Sequence, residues 1–209
     1  MKIIDPSYET ILGPDDTYLQ LIELAGRTCY KSEDKITKDS AKIFVKKLIE
    51  NGHEAMIECA PLISVKFICN RGFSHEMVRH RLCSFAQEST RYCNYSKDKH
   101  NNEITVIRPS FLRGLEDGTK WIAWCQAMSF SEEKYLLLLH EGCSPQEARG
   151  VLPIDLKTEL FVSANVREWR HILKMRTSNK AHPSMQQLMR PLLKDFQKRV
   201  PILFDDIIY

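Results

Sequence analysis

The chain has 209 residues, 43% of them hydrophobic, and a net charge of +3; this suits one compact domain over residues 1–209 that buries about 70% of the surface its unfolded form exposes. It has no Gly/Ser/Pro-rich linker, no fixed-period repeat, no signal-peptide core and no apolar run long enough to cross a bilayer, so we expect a cytoplasmic protein without a membrane partner. Its seven cysteines form no Cys-x-x-Cys pair, which argues against a disulfide framework or a cysteine-rich zinc site; we expect mostly buried thiols and no metal.

The first half of the chain alternates strand and helix patterns. Apolar residues recur at helical spacing in two segments, and the second of these closes at Asn51-Gly52, a typical C-terminal cap. Ile63, Val65 and Phe67 alternate with polar residues, as in a strand. The predicted elements are a strand, two helices, a strand and a short helix at residues 3–4, 15–30, 38–51, 62–68 and 71–79.

The second half is predicted to be mainly helical. Residues 80–96 are polar without a clean period, which is typical of a functional loop. Ser144-Pro145-Gln146-Glu147 has the cap, proline and glutamate of a helix start, and Gly142 ends the helix before it. Residues 158–165 favour a strand, although a helix is compatible with them, and helices are expected at 121–141, 167–176 and 183–199. The predicted fold class is α+β, a single domain with a small β-sheet and several helices.

Basic residues are concentrated near the C-terminus. Residues 165–200 carry nine Lys/Arg against Glu168 and Asp195, so this stretch sums to +7 and the remainder to −4. Such asymmetry indicates an anionic partner such as a phosphate. A solvated basic helix face would explain the charge equally well.

The segment from Ser74 to Tyr92 is the most informative part of the sequence. It contains Arg79, Arg81 and Arg91 among several hydroxyl side chains. Arginine offers a planar fork of donors that suits phosphate, and hydroxyls with loop amides can complete the cradle. The segment therefore predicts a nucleotide-phosphate site. The alternative interpretation is an ordinary surface loop with scattered charge pairs.

Arg79-His80-Arg81, seven residues and Ser89 form an Arg-His-Arg-x7-Ser motif that resembles the flavin-dependent thymidylate synthases. Three further blocks are similar to that family in the same order. They are Gly52-His53-Glu54 with Glu58, Gln146 to Pro153 with its Ala148-Arg149 pair, and Asn165-x-Arg167 followed by Arg176 and His182. The resemblance covers positions 52 to 182 and implies the fold of that family.

The resemblance also implies ligands and residue roles. It implies FAD as cofactor, with dUMP, 5,10-methylenetetrahydrofolate and NADPH as small-molecule substrates, and a homotetramer whose active sites draw on several subunits. Arg176 would stabilise charge on the uracil. The implied flavin contacts are His53, Ala55, Arg79, His80, Arg81, Gln87, Asn165, Arg167 and His171. The implied substrate contacts are Glu76, Arg79, Gln87, Glu88, Ser89, Thr90, Arg91, Arg149 and Arg176.

The sequence departs from the family pattern at several positions. Ala86-Gln87 stands where Asn-Glu is usual, so a carboxylate is replaced by an amide or shifted to Glu88. Ala55 replaces a hydroxyl residue, so a flavin contact there must come from its backbone. Cys83 and Cys93 lie near arginines but are not family positions, and we interpret both as packing residues rather than nucleophiles. The other departures are Glu76 in place of glutamine and His171 in place of asparagine.

Two other functions remain open from the residues alone. Arginines beside Phe85, Tyr92 and Tyr95 are what a single-stranded nucleic-acid-binding module would use, but the modest net charge disfavours it and we expect no nucleic-acid partner. The second is a related nucleotide-modifying flavoprotein. Neither a Gly-x-Gly-x-x-Gly turn nor a P-loop is present, so Rossmann and P-loop binding modes are unsupported.

Overall fold

A computed structural model describes residues 1–97 and 101–209. Its helices are α1 to α8 in chain order: Asp16–Tyr30, Ser40–Glu50, Arg71–Met77, Thr119–His140, Pro145–Ala148, Val166–Arg176, Pro183–Arg199 and Pro201–Phe204. Its strands are β1 to β6: Lys2–Ile4, Ser7–Leu12, Ile63–Asn70, Ser84–Gln87, Thr105–Ile107 and Lys157–Ala164. Short 3-10 turns lie at Glu33–Lys35, Glu54–Cys59, Ser110–Leu112 and Arg149–Val151. The predicted α+β class is confirmed.

The strands form two sheets. One is the parallel pair β1 and β5, with Ile3 opposite Val106. The other has four strands in the order β2-β3-β6-β4. Ile63, Val65 and Phe67 of β3 are fully buried, and Ser64 on the other face is 8% exposed. Because both faces of β3 are covered, Ser64 needs a polar partner, and its hydroxyl lies 2.9 Å from that of Ser163 in β6.

Helix ends follow the signals in the sequence. The Ser144 cap exists as a capping box, in which Glu147 Oε2 accepts from the Ser144 amide at 2.8 Å. Gly52 and Gly142 take φ values of +70° and +92°, which end α2 and α4 in a conformation that other residues adopt at a cost. The Asn165 Oδ1 accepts from the Glu168 amide at 2.9 Å and caps α6.

The described chain forms two compact units. Unit 1 comprises Met1–Ser7, Phe67–Arg79 and Ala86–Leu160, and unit 2 comprises Tyr8–Lys66, His80–Phe85 and Phe161–Tyr209. In unit 1 the core gathers around Tyr95 and Tyr135, with ring centroids 5.7 Å apart. In unit 2 it gathers around Trp169, whose Nε1 donates to the Ile63 carbonyl at 2.9 Å. The single-domain prediction for residues 1–209 stays a prediction.

Some sequence expectations need correction. The stretch predicted to be a loop over residues 80–96 contains strand β4, and strand β2 was not predicted. Only Cys69 is buried, whereas Cys29 and Cys59 are exposed and the other four thiols are half-buried. The expectation of mostly buried cysteines is therefore wrong. Cys29 and Cys59 lie near the ends of helical segments, where their side chains reach the surface. Within the described residues, no helix is both long and apolar enough to cross a membrane.

Candidate active site

In unit 2, helix α6 and its cap carry five residues with implied or observed roles: Asn165, Arg167, Glu168, His171 and Arg176. Residues three or four positions apart share a helix face, so Glu168 and His171 lie one above the other. His80, which follows α3 in sequence, completes this group. The helix therefore brings Arg176, Glu168 and His171 beside the histidine of the Arg-His-Arg motif.

His80 is buried between charged neighbours. The Arg176 Nε donates to His80 Nε2 at 2.9 Å, and His80 Nδ1 lies 3.6 Å from Glu168 Oε1. The His171 ring meets the His80 ring edge-on, with centroids 5.7 Å apart. Burial, then Arg176 and His171, lowers the pKa of His80 to about 4. His80 is accordingly neutral at physiological pH.

A cavity of about 410 Å³ adjoins this group. Its lining is mainly charged and polar: Glu54, Glu58, Leu82, Asn165, Arg167, Glu168, Arg170, His171 and Lys174. The Arg167 guanidinium is paired with Glu58 at 2.6 Å and with Glu54 at 3.7 Å. An anionic ligand that uses Arg167 would have to compete with these carboxylates.

Arg170, which the sequence did not single out, forms one wall of that cavity. It is 1% exposed and pairs with both oxygens of Asp206 at 2.7 Å. It also donates to the Leu203 carbonyl. Its Nε is buried without a hydrogen-bond partner among the described residues. This pairing ties α6 to the segment after α8.

His53 and Ala55 line a different cavity of unit 2. This space of about 270 Å³ lies against α1 and α2, and its walls are mainly apolar. Both residues are exposed. The structure thus places the two implied flavin contacts of the Gly-His-Glu block in their own cavity, apart from the lining of the cavity beside α6.

In unit 1, Thr90 and Arg149 line a cavity of about 280 Å³. The Arg149 Nη1 donates to Thr90 Oγ1 at 3.4 Å. Arg71 and His75, which the sequence did not single out, line the same cavity. Two guanidinium groups, an imidazole and a hydroxyl in the lining of one cavity suit an anion such as phosphate.

Ser89 and Arg91 lie on the chain beside that cavity. Ser89 Oγ accepts from the Arg91 amide at 3.3 Å. The Arg91 guanidinium donates to Gln146 Oε1 at 3.4 Å and lies 5.4 Å from the centroid of the exposed Tyr92 ring. Arg91 is exposed, so a ligand can reach it.

Gln87 and Glu88 are both engaged in side-chain networks. The Gln87 amide nitrogen donates to Ser74 Oγ at 2.8 Å and to Thr158 Oγ1 at 3.2 Å. Glu88 pairs with Lys157 at 3.0 Å. The amide at position 87 therefore bridges two buried hydroxyls, and the carboxylate at position 88 is neutralised by a lysine.

The remaining implied residues differ in their exposure. Arg79 and Arg81 are exposed, and Glu76 is half-buried. Burial, and then the charge of Glu168, raises the pKa of Cys83 to about 12. A thiol with so high a pKa is a poor nucleophile at neutral pH. This agrees with the interpretation of Cys83 as a packing residue.

The sequence missed Glu168, Arg170, Arg71 and His75. Glu168 could have been found, because it stands three residues after the Asn165 cap and three before His171 on one helix face. Arg170 looked like any cation on a basic helix. Its burial depends on Asp206, and no local pattern predicts that long-range pair.

Comparison with known proteins identifies the relatives of this chain. A protein-family model described as "Thymidylate synthase complementing protein" matches residues 12–202. A flavin-dependent thymidylate synthase of Corynebacterium aurimucosum is 33% identical over 201 residues, covering 89% of this chain and 78% of that protein. One from Pyrococcus furiosus is 27% identical over 183 residues, covering 88% and 73%.

A solved structure has the same fold. It is that of PolB, a UMP/dUMP methylase from Streptomyces cacaoi bound with 5-Br dUMP. The TM-score is 0.81, the sequence identity is 19%, and the match covers 98% of this chain and 96% of that one. At this identity the likeness shows the fold alone. Since the family model spans nearly the whole chain and the motif blocks stand in the family's order, this chain belongs to the flavin-dependent thymidylate synthases.

Proposed function

We propose that the chain catalyses the reductive methylation of dUMP to dTMP, using 5,10-methylenetetrahydrofolate as one-carbon donor, FAD as flavin and NADPH as its reductant. The observation that carries the proposal is the 2.9 Å hydrogen bond from Arg176 Nε to His80 Nε2. It fixes a permanent cation beside a neutral ring, within residues that the family resemblance assigns to flavin and pyrimidine. The names of the relatives support the reaction class.

Arg176 is proposed to activate the pyrimidine. Carbon 5 of uracil becomes nucleophilic when negative charge builds at O4 and N3. A guanidinium held at that edge stabilises the charge, an electrostatic effect of about 3 kcal/mol in comparable sites. Carbon 5 then bonds to the methylene carbon of the folate as that carbon's bond to a folate nitrogen breaks, so that tetrahydrofolate leaves and the proton on carbon 5 is released to solvent. Because His80 is neutral, it adds no second positive charge that would repel Arg176.

The substrate phosphate is proposed to bind at the cavity that Thr90 and Arg149 line in unit 1. Ser89 and Arg91 would complete the contacts to phosphate and ribose. The Arg71 guanidinium would add charge from the cavity wall, although it also donates to Thr158 Oγ1 at 3.4 Å. The other proposed substrate contacts are Glu76, Arg79, Gln87 and Glu88.

The residues of unit 2 fit a flavin dinucleotide in part. The 410 Å³ cavity is large enough for one portion of such a ligand, and a phosphate bound there would replace the carboxylates that now pair with Arg167 and Lys174. The proposed flavin contacts in unit 2 are His53, Ala55, His80, Arg81, Asn165, Arg167 and His171, and those in unit 1 are Arg79 and Gln87. Bound reduced FAD would supply the hydride that completes the methyl group, with NADPH regenerating it. The protein's part is to orient the ligands and exclude water.

We also propose a cytoplasmic homotetramer with no nucleic-acid partner. The proposed site residues are dispersed along the chain, and several of the arginines among them are exposed. Sharing of each active site among subunits, which the family resemblance implies, would bury such residues.

Release of tritium from dUMP labelled at carbon 5 tests the reaction. We expect release that requires both methylenetetrahydrofolate and NADPH, with dTMP formed in equal amount. Release without dTMP would point to a related nucleotide-modifying flavoprotein. Absence of release, together with salt-sensitive binding of oligonucleotides, would replace the proposal with the nucleic-acid-binding module.

A further inference from the structure

The contact between Arg176 and His80 determines which ring nitrogen of His80 carries the proton. An arginine side chain only donates hydrogen bonds and keeps its proton at any accessible pH. His80 Nε2, at 2.9 Å from Arg176 Nε, must therefore accept. A neutral imidazole has one N–H, so the proton of His80 resides on Nδ1.

That proton faces Glu168. The distance from His80 Nδ1 to Glu168 Oε1 is 3.6 Å, within ion-pair range and longer than a standard hydrogen bond. Both side chains are nearly inaccessible, at 5% and 6% exposed. At this distance the attraction is electrostatic rather than a hydrogen bond, and a carboxylate favours an N–H over a lone pair at Nδ1, which is the tautomer that Arg176 requires.

Glu168 is itself held in place. It occupies the first turn of α6, where the helix dipole favours a carboxylate. Its amide donates to the Asn165 cap at 2.9 Å. The position of the Glu168 side chain is thus set by the start of the helix that also carries Arg176.

We propose that Glu168 is a positioning residue, which fixes the Nδ1–H tautomer of His80 and thereby aims the Arg176 guanidinium. The guanidinium is a rigid plane, so a partner that fixes the direction of Nε–H also fixes the plane and direction of the two Nη groups. The role in turnover rests on the proposed function, in which Arg176 stabilises charge on the pyrimidine. The tautomer and the Arg176 contact can be measured without any turnover.

A metal site is the competing interpretation of the same residues. His80, Glu168 and His171 offer ligand atoms within 4.8 Å of one another. However, Arg176 already occupies His80 Nε2, and a divalent cation at Nδ1 would lie beside a permanent positive charge. The geometry favours the arrangement in which Arg176 donates to His80 and Glu168 lies at ion-pair distance from the other ring nitrogen.

The test compares Glu168→Leu and Glu168→Gln with the wild-type protein. Nitrogen-15 spectra of labelled histidine report the His80 tautomer, and the Arg176 Nε–H resonance reports its hydrogen bond. In the wild type we expect the proton of His80 on Nδ1. In Glu168→Leu we expect a mixture of the two His80 tautomers and loss of the Arg176 Nε–H signal. Glu168→Gln should restore both signals, because an amide oxygen can accept from Nδ1–H. We expect kcat to fall at least about tenfold in Glu168→Leu, with dUMP KM and flavin content unchanged, as for other partners that orient an imidazole.

Glu23→Leu is the matched control. Glu23 is also a buried glutamate of unit 2, paired with Arg27 at 2.9 Å, and it lies outside the proposed site. Its loss should lower the melting temperature without changing the His80 spectrum or kcat.

Three results would overturn the proposal. They are an Nε2–H tautomer in wild type, a Glu168→Leu spectrum identical to wild type, and a shift of both His80 and His171 on titration with Zn²⁺ alone. If all three proteins give the expected spectra but the wild type does not turn over dUMP, the proposed function is refuted and the positioning role of Glu168 stands.

Discussion

The ionisation of His80 shows how burial shapes this site. Its pKa lies at about 4 in the fold, lowered by burial and then by Arg176 and His171, against 6.5 in the unfolded chain. Between pH 4 and pH 6.5, His80 binds a proton in the unfolded chain but not in the folded protein. The stability that neutral His80 contributes is therefore complete above pH 6.5 and is lost as pH falls toward 4.

We predict that His80→Gln flattens the acid limb of the stability profile. In wild type the His80 contribution has a slope of at most about 1.4 kcal/mol per pH unit across this window. Denaturant unfolding at several pH values measures it. Glu168, whose pKa burial raises, changes stability with the opposite sign, so the difference between the two proteins isolates His80. Parallel profiles would contradict the assignment of a neutral, buried His80.

We predict that Arg176→Ala lowers kcat about 100-fold or more while FAD stays bound, since the lost group acts on charge that develops in the reaction. Steady-state kinetics and the flavin-to-protein absorbance ratio measure the two effects. Arg199→Ala is a suitable control, because Arg199 is an exposed arginine of unit 2 paired with Asp195 at 3.1 Å. Near-normal turnover in Arg176→Ala would remove Arg176 from its proposed role.

Helix α6 is the element on which the candidate site of unit 2 depends. Its cap, Asn165, was interpreted from the sequence only as a flavin contact, whereas the structure shows that its side chain also starts the helix. The two roles can be separated, because Asp caps a helix as well as Asn but lacks the amide donor.

We predict that Asn165→Ala costs about 1 kcal/mol of stability and that Asn165→Asp costs little. Denaturant unfolding of the apoprotein gives these values. If Asn165 also donates to the flavin, FAD affinity should fall in both variants. Equal stability of the Ala variant and the wild type would mean that the cap is not important for α6.

Helices could be predicted from the sequence better than strands. The predicted helix at residues 183–199 matches α7, and the capping signals at 144–147 were correct, because caps and helical periodicity are local. β4 is only four residues long and lies in a polar stretch, and its pairing with β6 is decided by residues far away in sequence. Short edge strands of this kind have no local signal to predict them.

At the scale of the whole molecule, the family and its reaction class were easier to predict from the sequence than the side-chain contacts. The motifs predicted the family, which the comparisons confirm, whereas the site residues and the anionic ligand that the basic C-terminal stretch indicated stay predictions. The sequence could not show that Arg167 is paired with Glu58, or that Arg170 is buried against Asp206, because both pairs join distant segments. It also could not show that Gln87 bridges two hydroxyls.

We predict a homotetramer in solution. Light scattering coupled to size-exclusion chromatography should give about four times the 24.3 kDa chain mass. Since dispersed site residues would come from several subunits, mixing two inactive variants, Arg149→Ala and Arg176→Ala, should restore part of the activity after subunit exchange. A monomer with full activity would refute the shared site.

The most direct test of the central claim is the flavin absorption spectrum under anaerobic conditions. We predict that the purified protein is yellow, that NADPH bleaches the flavin band, and that the band returns only when dUMP and methylenetetrahydrofolate are both added, with dTMP formed. A colourless protein that does not bind FAD, or a bleached flavin that stays reduced with both substrates present, would contradict the account.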